Sequence, residues 1–515
     1  MTSEKHSAPV SDAMKIPAML ALFSALLFLL PPIFDMPFGR DQGIFAWVAQ
    51  SVLQGGLPYV DAFDNKGPAT FYLYAMALQF DAGHAYGLRA LDILLILAAL
   101  MAVIDLVRHW QGPQAGWLAG LLTLALLHLD FWNLGQPDLW ASEIGLLMLW
   151  LALKNPTPVR MAGAGVLAGL MVTLKIPYVL IGLAFILVLI QERQYRHLLA
   201  FMTGALVCPL ACLALYASEG QLQTLWDVTF TYNFYVHADL PDKHFWRDLL
   251  TLRIYWPANT SALALIQLAN DMLLLALAGS GLCILWRSGR RYHVKVLVLL
   301  WLAAYAIVSI QAKYFFYHYT LLALVTALPA AVLLGRAQGW WRQTAATTLM
   351  LMLAFPALCL IGKPLEWWQG GPTRTQWQAS SSWGDFNYGL TAEAADYVKE
   401  NTQSIDTVYV WGVDSLVNAL SERASPTRFG YNLPLVLAKP PLRQTFTDEV
   451  MEALAARPPS LIVVQRNDQN DLAAASVVTL TEFPALVNLI ERDYRLRWEN
   501  AAFAIYGRHA AVQNP

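Results

Sequence analysis

Charge is scarce in this chain. Of 515 residues only 14% are Asp, Glu, Lys or Arg, while 57% are hydrophobic, and the mean hydropathy is +0.43. Soluble domains carry about 25% charged and about 45–50% apolar residues, so the body of the molecule does not read as a soluble fold. The net charge of −2 supplies no basic field, and nucleic acid is not expected as a partner. Cysteine is nearly absent: Cys208, Cys212, Cys283 and Cys359 all sit inside apolar runs. Cys208 and Cys212 have i,i+4 spacing, but no His or acidic residue joins them, so they read as small buried hydrophobes rather than a zinc site. Internal repeats and low-complexity tracts are lacking. The first apolar run, Ile16 to Phe34, follows Lys15 and ends in Pro31-Pro32 without a small-residue cleavage site. It reads as an uncleaved first span.

What the chain has in abundance is apolar runs of bilayer length. About eleven transmembrane helices are expected, near 16–34, 89–107, 114–132, 139–153, 160–174, 177–191, 198–217, 264–286, 296–311, 316–335 and 344–361. Lys and Arg concentrate in every second connection: Arg108; Lys154 and Arg160; Arg193 and Arg196; Arg287, Arg290, Arg291 and Lys295; Arg336 and Arg342. Lys5 and Lys15 fall on the same side. By the positive-inside rule these loops and the N-terminus face the cytoplasm. The loops 35–88 and 218–263, and everything after about residue 362, then face outward, which in a bacterial inner membrane is the periplasm.

Beyond Trp383 the pattern changes. Helices are expected over Thr391–Asn401 with Thr391 as N-cap, Thr447–Ala456 and Phe483–Asp493, with strands at Asp406–Gly412, Ser460–Gln465 and Ala501–Arg508. Asp414 can cap the short helix after the first strand. The expectation is a transmembrane domain over 1–362 and a soluble α/β domain over 363–515.

The first outer loop carries the densest information. Ile44, Trp47, Val48 and Val52 fall at helical spacing, and Gly55-Gly56 stops that helix. A second helix starts at Pro68, with Phe71, Tyr72 and Tyr74 following. Two short interfacial helices follow from this pattern. Asp41 precedes the first and Lys66 the second. Asp41 reads either as an N-cap or as a general base for an acceptor hydroxyl. Lys66 reads either as a snorkelling side chain or as the partner of a phosphate leaving group.

The stretch "RDQGIFAWVAQSVLQGGLPYVDAFDNKGP" resembles the first outer loop of the C-superfamily glycosyltransferases, in the branch of protein O-mannosyltransferases and the lipid A aminoarabinose transferase. The matching positions are Asp41, the run Ala49 to Tyr59, and Lys66-Gly67-Pro68. The family's usual Asp-Glu pair is Asp41-Gln42 here, which leaves a divalent cation open and Asp41 as the sole candidate base of the motif. "GQPDLWASE" offers Asp138, or else Glu143, as the acidic residue of the next outer loop. "KYFFYHY" offers His318 in the aromatic-His-Tyr motif, and "VYVWG" is similar to the first strand of the outer domain.

Each has a structural alternative. Asp138 and Glu143 can be caps or a polar helix face, and His318 a packed histidine. Lys175 and Arg89 can be interfacial anchors instead of phosphate ligands. Trp226, Tyr232 and Tyr235 fit an interfacial belt or a sugar platform. The resemblance implies an inverting transferase that takes a sugar from a polyprenyl phosphate and hands it to lipid A, a surface glycan or a protein. Asp41 would be its base, and Lys66, Arg89 and Lys175 its phosphate ligands. A transporter or lipid flippase is the competing reading, although neither paired broken helices nor mid-membrane charges are present. A lipid-linked polymerase or ligase shares the donor chemistry.

Overall fold

A computed structural model describes residues 15–80, 85–237, 261–311, 313, 315–336, 362–370, 373–470 and 472–509. Ten of the expected spans coincide with helical segments; the run 344–361, like 238–260 of the second outer loop, lies outside the described residues.

The helices are α1 (Lys15–Asp35), α2 (Arg40–Leu53), α3 (Pro68–Leu78), α4 (Tyr86–Gln111), α5 (Pro113–Leu126), α6 (Pro137–Leu153) and α7 (Pro158–Leu174). They continue as α8 (Val179–Gln191), α9 (Tyr195–Ser218), α10 (Leu222–Trp226), α11 (Ser261–Arg287), α12 (Arg291–Gln311) and α13 (Thr320–Arg336). Among the described residues, six helical segments are long and apolar enough to cross a membrane. Their outward faces stay apolar: along α9, Leu199, Leu206, Leu210 and Leu213 are all exposed. Water would not tolerate so broad an apolar surface, and a bilayer requires it. Segment α13 is the exception, buried on nearly every side at the centre of the bundle.

Short helices α2 and α3 lie between α1 and α4, as the apolar periodicity predicts. Pro68 opens α3 at its first position. The expected N-cap at Asp41 is corrected: α2 begins at Arg40, with Gly39, two residues before Asp41, in the N-cap position and Asp41 inside the first turn. The side chain of Gln42 accepts the Gly39 N–H instead.

The C-terminal segment is an α/β layer. It runs through α14 (Arg374–Ala379), β1 (Ser382–Trp383), β2 (Phe386–Asn387), α15 (Tyr388–Glu400), β3 (Val408–Trp411), α16 (Leu416–Ser421), α17 (Leu433–Leu437) and α18 (Leu442–Ala456). Then come β4 (Leu461–Gln465), α19 (Ser476–Thr479), α20 (Pro484–Asp493), β5 (Tyr494–Glu499) and β6 (Phe503–Arg508). The main sheet has the order β3-β4-β6-β5, with β3 and β4 parallel and the other pairs antiparallel. Both β3 and β4 are buried along their whole length, as continuous apolar strands require.

This layer packs tightly on α2. A Cβ added at Gly43 would stand 2.6 Å from Leu416 Cβ, and one at Gly430 would stand 2.7 Å from the Trp47 ring. Arg40 pairs with Asp385 at 2.6 Å, and Gln50 donates to the Ala419 carbonyl at 2.9 Å. Gly43→Ala should therefore wedge α16 away from α2 and cost about 1–3 kcal/mol. Its thermal midpoint in detergent should fall, while Gly182→Ala, which meets only open space, should not lower it. An unchanged midpoint for Gly43→Ala would mean that the layer is not seated on α2.

Candidate active site

The polar residues of the loops assemble where α1, α5 and α7 end. Helix α1 stops at Asp35 and α5 at Leu126, leaving extended or turning backbone whose carbonyls need donors. Arg89 of α4 supplies several. Its guanidinium donates to the Met36 and Pro37 carbonyls at 3.1 and 2.5 Å and to Gln42 Oε1 at 3.1 Å, and it pairs with Asp92 at 3.0 Å. Gln42, fully buried, donates in turn to the Phe131 and Trp132 carbonyls at 2.8 and 3.2 Å, and to that of Leu134. A glutamate at 42 could donate to none of them.

Asp41 thereby faces the first turn of α6. Gln136, the N-cap residue of α6, donates its amide to Asp41 Oδ2 at 3.1 Å. Two residues on, Asp138 is fully buried, paired with Lys175 Nζ at 2.7 Å and accepting from Tyr178 OH at 3.2 Å. Lys175 caps the end of α7 in an extended conformation. Gly67 fits against the Thr173 carbonyl, where any Cβ would collide, and its N–H donates to Leu174 O at 2.9 Å. This close approach seats Lys66 beside the end of α7. Tyr59, at a positive φ of 73° and fully buried, donates its hydroxyl to the Lys66 carbonyl at 2.5 Å.

Lys66 Nζ lies 3.9 Å from Asp64 Oδ1, 3.2 Å from Asn65 Oδ1 and over the Phe45 ring at 5.3 Å. It is within electrostatic range of Asp41 and Asp138, and Lys175 is within range of Lys66 and Asp41. Lys313 joins them, within range of Lys66, Lys175, Asp41 and Asp64. Three ammoniums and three carboxylates thus share one site. Burial works against the charge on Lys66, but Asp64, Asp41 and Asp138 more than offset it and hold its ammonium above the ordinary lysine range. Among the described residues Lys313 has no counterion so close; burial, with Lys66 and Lys175 nearby, pulls it down to about 7. His318, in the 3₁₀ turn Phe316–Tyr319, is buried with its Nδ1 unpartnered among the described residues, within range of all three lysines.

Of the residues singled out in the sequence, Asp41, Lys66, Lys175, Asp138 and His318 converge, and Tyr59 holds the backbone of Lys66. Two do not join. Arg89 is fully buried and its guanidinium is occupied by the carbonyls between α1 and α2 and by Gln42 and Asp92, so its geometry is that of a bracket and not of a phosphate ligand. Glu143 lies further along α6, fully buried, with both carboxylate oxygens unpartnered among the described residues. Lys313 and Asp64 were missed. The signals were present: Lys313 opens the aromatic-His-Tyr stretch, and Asp64 stands two residues before Lys66. Among the described residues, no three His, Cys, Asp or Glu side chains gather as a cation site.

No family model and no curated protein matches the sequence. Solved structures do match. ArnT from Cupriavidus metallidurans bound to undecaprenyl phosphate is 12% identical with a TM-score of 0.61, the match covering 98% of either chain. The same protein in the apo state gives 0.63, over 98% of this chain and all of that one. The chain therefore shares the fold of these two structures over nearly its whole length. The archaeal oligosaccharyltransferase AglB from Archaeoglobus fulgidus, in complex with an inhibitory peptide and a dolichol-phosphate, matches at 14% identity and a TM-score of 0.51, over 88% of this chain and 69% of its own. At these identities the likeness is one of fold, and it extends from the apolar helices of a multi-pass membrane protein into the C-terminal α/β layer.

The contrast among the lysines is measurable. With its pKa drawn down to about 7, Lys313 is mostly a neutral, nucleophilic amine by about pH 8, whereas Lys66 stays protonated. Amine-selective acylation followed by mass spectrometry should modify Lys313 well before Lys66. Equal labelling of the two would remove the electrostatic asymmetry of the cluster.

Proposed function

We propose that the chain is an inverting glycosyltransferase that moves a hexosyl or pentosyl unit from a polyprenyl-phosphate donor to an envelope acceptor. The acceptor class is lipid A, a surface glycan or a protein. One observation carries the reading: the Asp41 carboxylate, held by Gln136, lies within electrostatic range of Lys66, Lys175 and Lys313 at the ends of membrane helices. A base beside clustered ammoniums is what displacement of a phosphate leaving group needs. Undecaprenyl phosphate and dolichol-phosphate in the similar structures support a lipid phosphate as the ligand.

In this reading Asp41 takes the proton of the acceptor hydroxyl as its oxygen attacks the anomeric carbon. The bond from that carbon to the phosphate oxygen breaks on the opposite face, and its electron pair leaves with the polyprenyl phosphate. Lys66 and Lys313 stabilise that charge, and Lys175, restrained by Asp138, belongs to the same cluster. His318 offers a hydrogen bond to a sugar hydroxyl through its unpartnered Nδ1. The concentration of Lys and Arg in every second loop supports a site on the periplasmic side of a bacterial inner membrane, with residues 1–362 as the membrane domain and 363–515 outside. Nucleotide sugars are confined to the other side, which favours a lipid-linked donor.

Asp41→Asn should lower transfer about a hundred- to ten-thousand-fold, the usual contribution of a general base, with undecaprenyl-phosphate binding nearly unchanged. The assay is release of polyprenyl phosphate from a labelled lipid-linked sugar by the purified protein. Full turnover by the variant would remove Asp41 from the chemistry; a donor left intact by the wild type while it crosses the membrane would restore the transporter reading.

A further inference from the structure

The α/β layer sends one hydroxyl into the first outer loop. Tyr431, buried, donates to Asp64 Oδ2 at 3.0 Å. The other oxygen of the same carboxylate, Oδ1, accepts the Lys66 N–H at 2.9 Å and stands 3.9 Å from the Lys66 ammonium. The contact is anchored on either side. Phe63 N–H donates to the Arg428 carbonyl at 2.7 Å, and Arg428, held by Glu449 at 2.6 and 2.9 Å, donates to the Tyr59 carbonyl at 2.9 Å. The Phe63 ring packs against Phe429, Phe446 and Tyr232 with centroids 5.3, 6.0 and 5.1 Å away. Residues 428–431 therefore lie along residues 59–64, and Tyr431 is itself within electrostatic range of Asp41.

We propose that Tyr431 is a positioning residue of the candidate donor site: acting through Asp64, it fixes the ammonium of Lys66, so the outer layer sets the phosphate-binding geometry of the membrane loop. This rests on the transferase reading given above. The two oxygens of Asp64 have separate tasks, one toward the outer layer and one toward Lys66. With the Tyr431 hydroxyl in place, the carboxylate is pinned and restrains Lys66 at arm's length, leaving the ammonium with capacity for an external anion. Without that hydroxyl the carboxylate turns toward Lys66, draws the ammonium in with both oxygens and cancels its pull on an incoming phosphate.

The test uses the full-length protein purified in detergent, with undecaprenyl phosphate as the probe. Tyr431→Phe keeps the ring and removes only the hydroxyl. It should weaken binding about tenfold, the scale of coupling within one hydrogen-bonded network, and raise the KM for the donor while kcat changes less than about twofold. Asp64→Asn should weaken binding too, and adding Tyr431→Phe to it should weaken it no further. Wild-type affinity in Tyr431→Phe, or additive losses in the double variant, would overturn the relay. Lys66→Met separates this from the broader reading. If Lys66→Met loses the probe and Tyr431→Phe does not, only the relay fails; if the wild type does not bind the probe, both fall.

Discussion

Backbone carbonyls stranded at the ends of broken helices are the constraint from which the site follows. Beside a bilayer such groups cannot rely on water, and each one left unsatisfied costs several kcal/mol. Two breaks occur close together, after α1 and after α5. Arg89 and Gln42 bridge them, and Asp92 completes the bracket by accepting the Gly135 N–H at 2.9 Å and the Trp140 indole N–H at 2.7 Å. Asn133 donates to the Leu127 and His128 carbonyls at 2.9 and 3.1 Å. Once these donors are placed, the first turn of α2 and the first turn of α6 have no freedom to separate. Asp41, Gln136 and Asp138 meet because the backbone around them had to be satisfied.

The same constraint governs the charges. Three lysines in a partly desolvated site repel one another, and the site manages this in three different ways. Lys175 is paired directly with Asp138. Lys66 is held near Asp64 and the Phe45 face. Lys313 has carboxylates in range but, among the described residues, no close partner, and its pKa drops to about 7. A site with graded cation strength differs from a salt-bridge network, in which every charge would be spent internally. Here the least committed ammoniums are those with capacity left for an external anion.

Much of this was legible in the sequence, and the boundary of legibility is physical. Bilayer-length apolar runs are set by a single local property, and ten of the eleven runs fall on helical segments among the described residues. Pro68 was readable because proline acts on its own backbone, and the Lys66-Gly67 step through the motif it resembles. The start of α2 was not readable from Asp41, because the cap comes from Gln42 reaching back to Gly39. The helix expected to begin at Thr391 is capped instead by Asn387, whose side chain accepts from Leu390 N–H at 3.0 Å. Strand β5 went unread, since Tyr494–Glu499 is an exposed edge strand rich in charge. Arg89 was misread for a different reason: an arginine near a helix start suits an anion as well as it suits carbonyls, and the carbonyls that claim it belong to residues 36 and 37. Lys313 and Asp64 depend likewise on partners supplied by other loops.

The position of Lys66 ties these strands together. Its backbone belongs to the membrane part, held by the Tyr59 hydroxyl and seated by Gly67 on the end of α7. Its side chain answers to the outer layer, through Asp64 and Tyr431. A lysine restrained from both sides loses little conformational entropy when it meets an anion, and that loss is among the larger costs of using a long, flexible cation. The glycine contacts at Gly43 and Gly430 then acquire a purpose beyond packing. They bring the outer layer close enough that a tyrosine hydroxyl reaches a carboxylate two residues from the lysine, which a looser interface would leave to water.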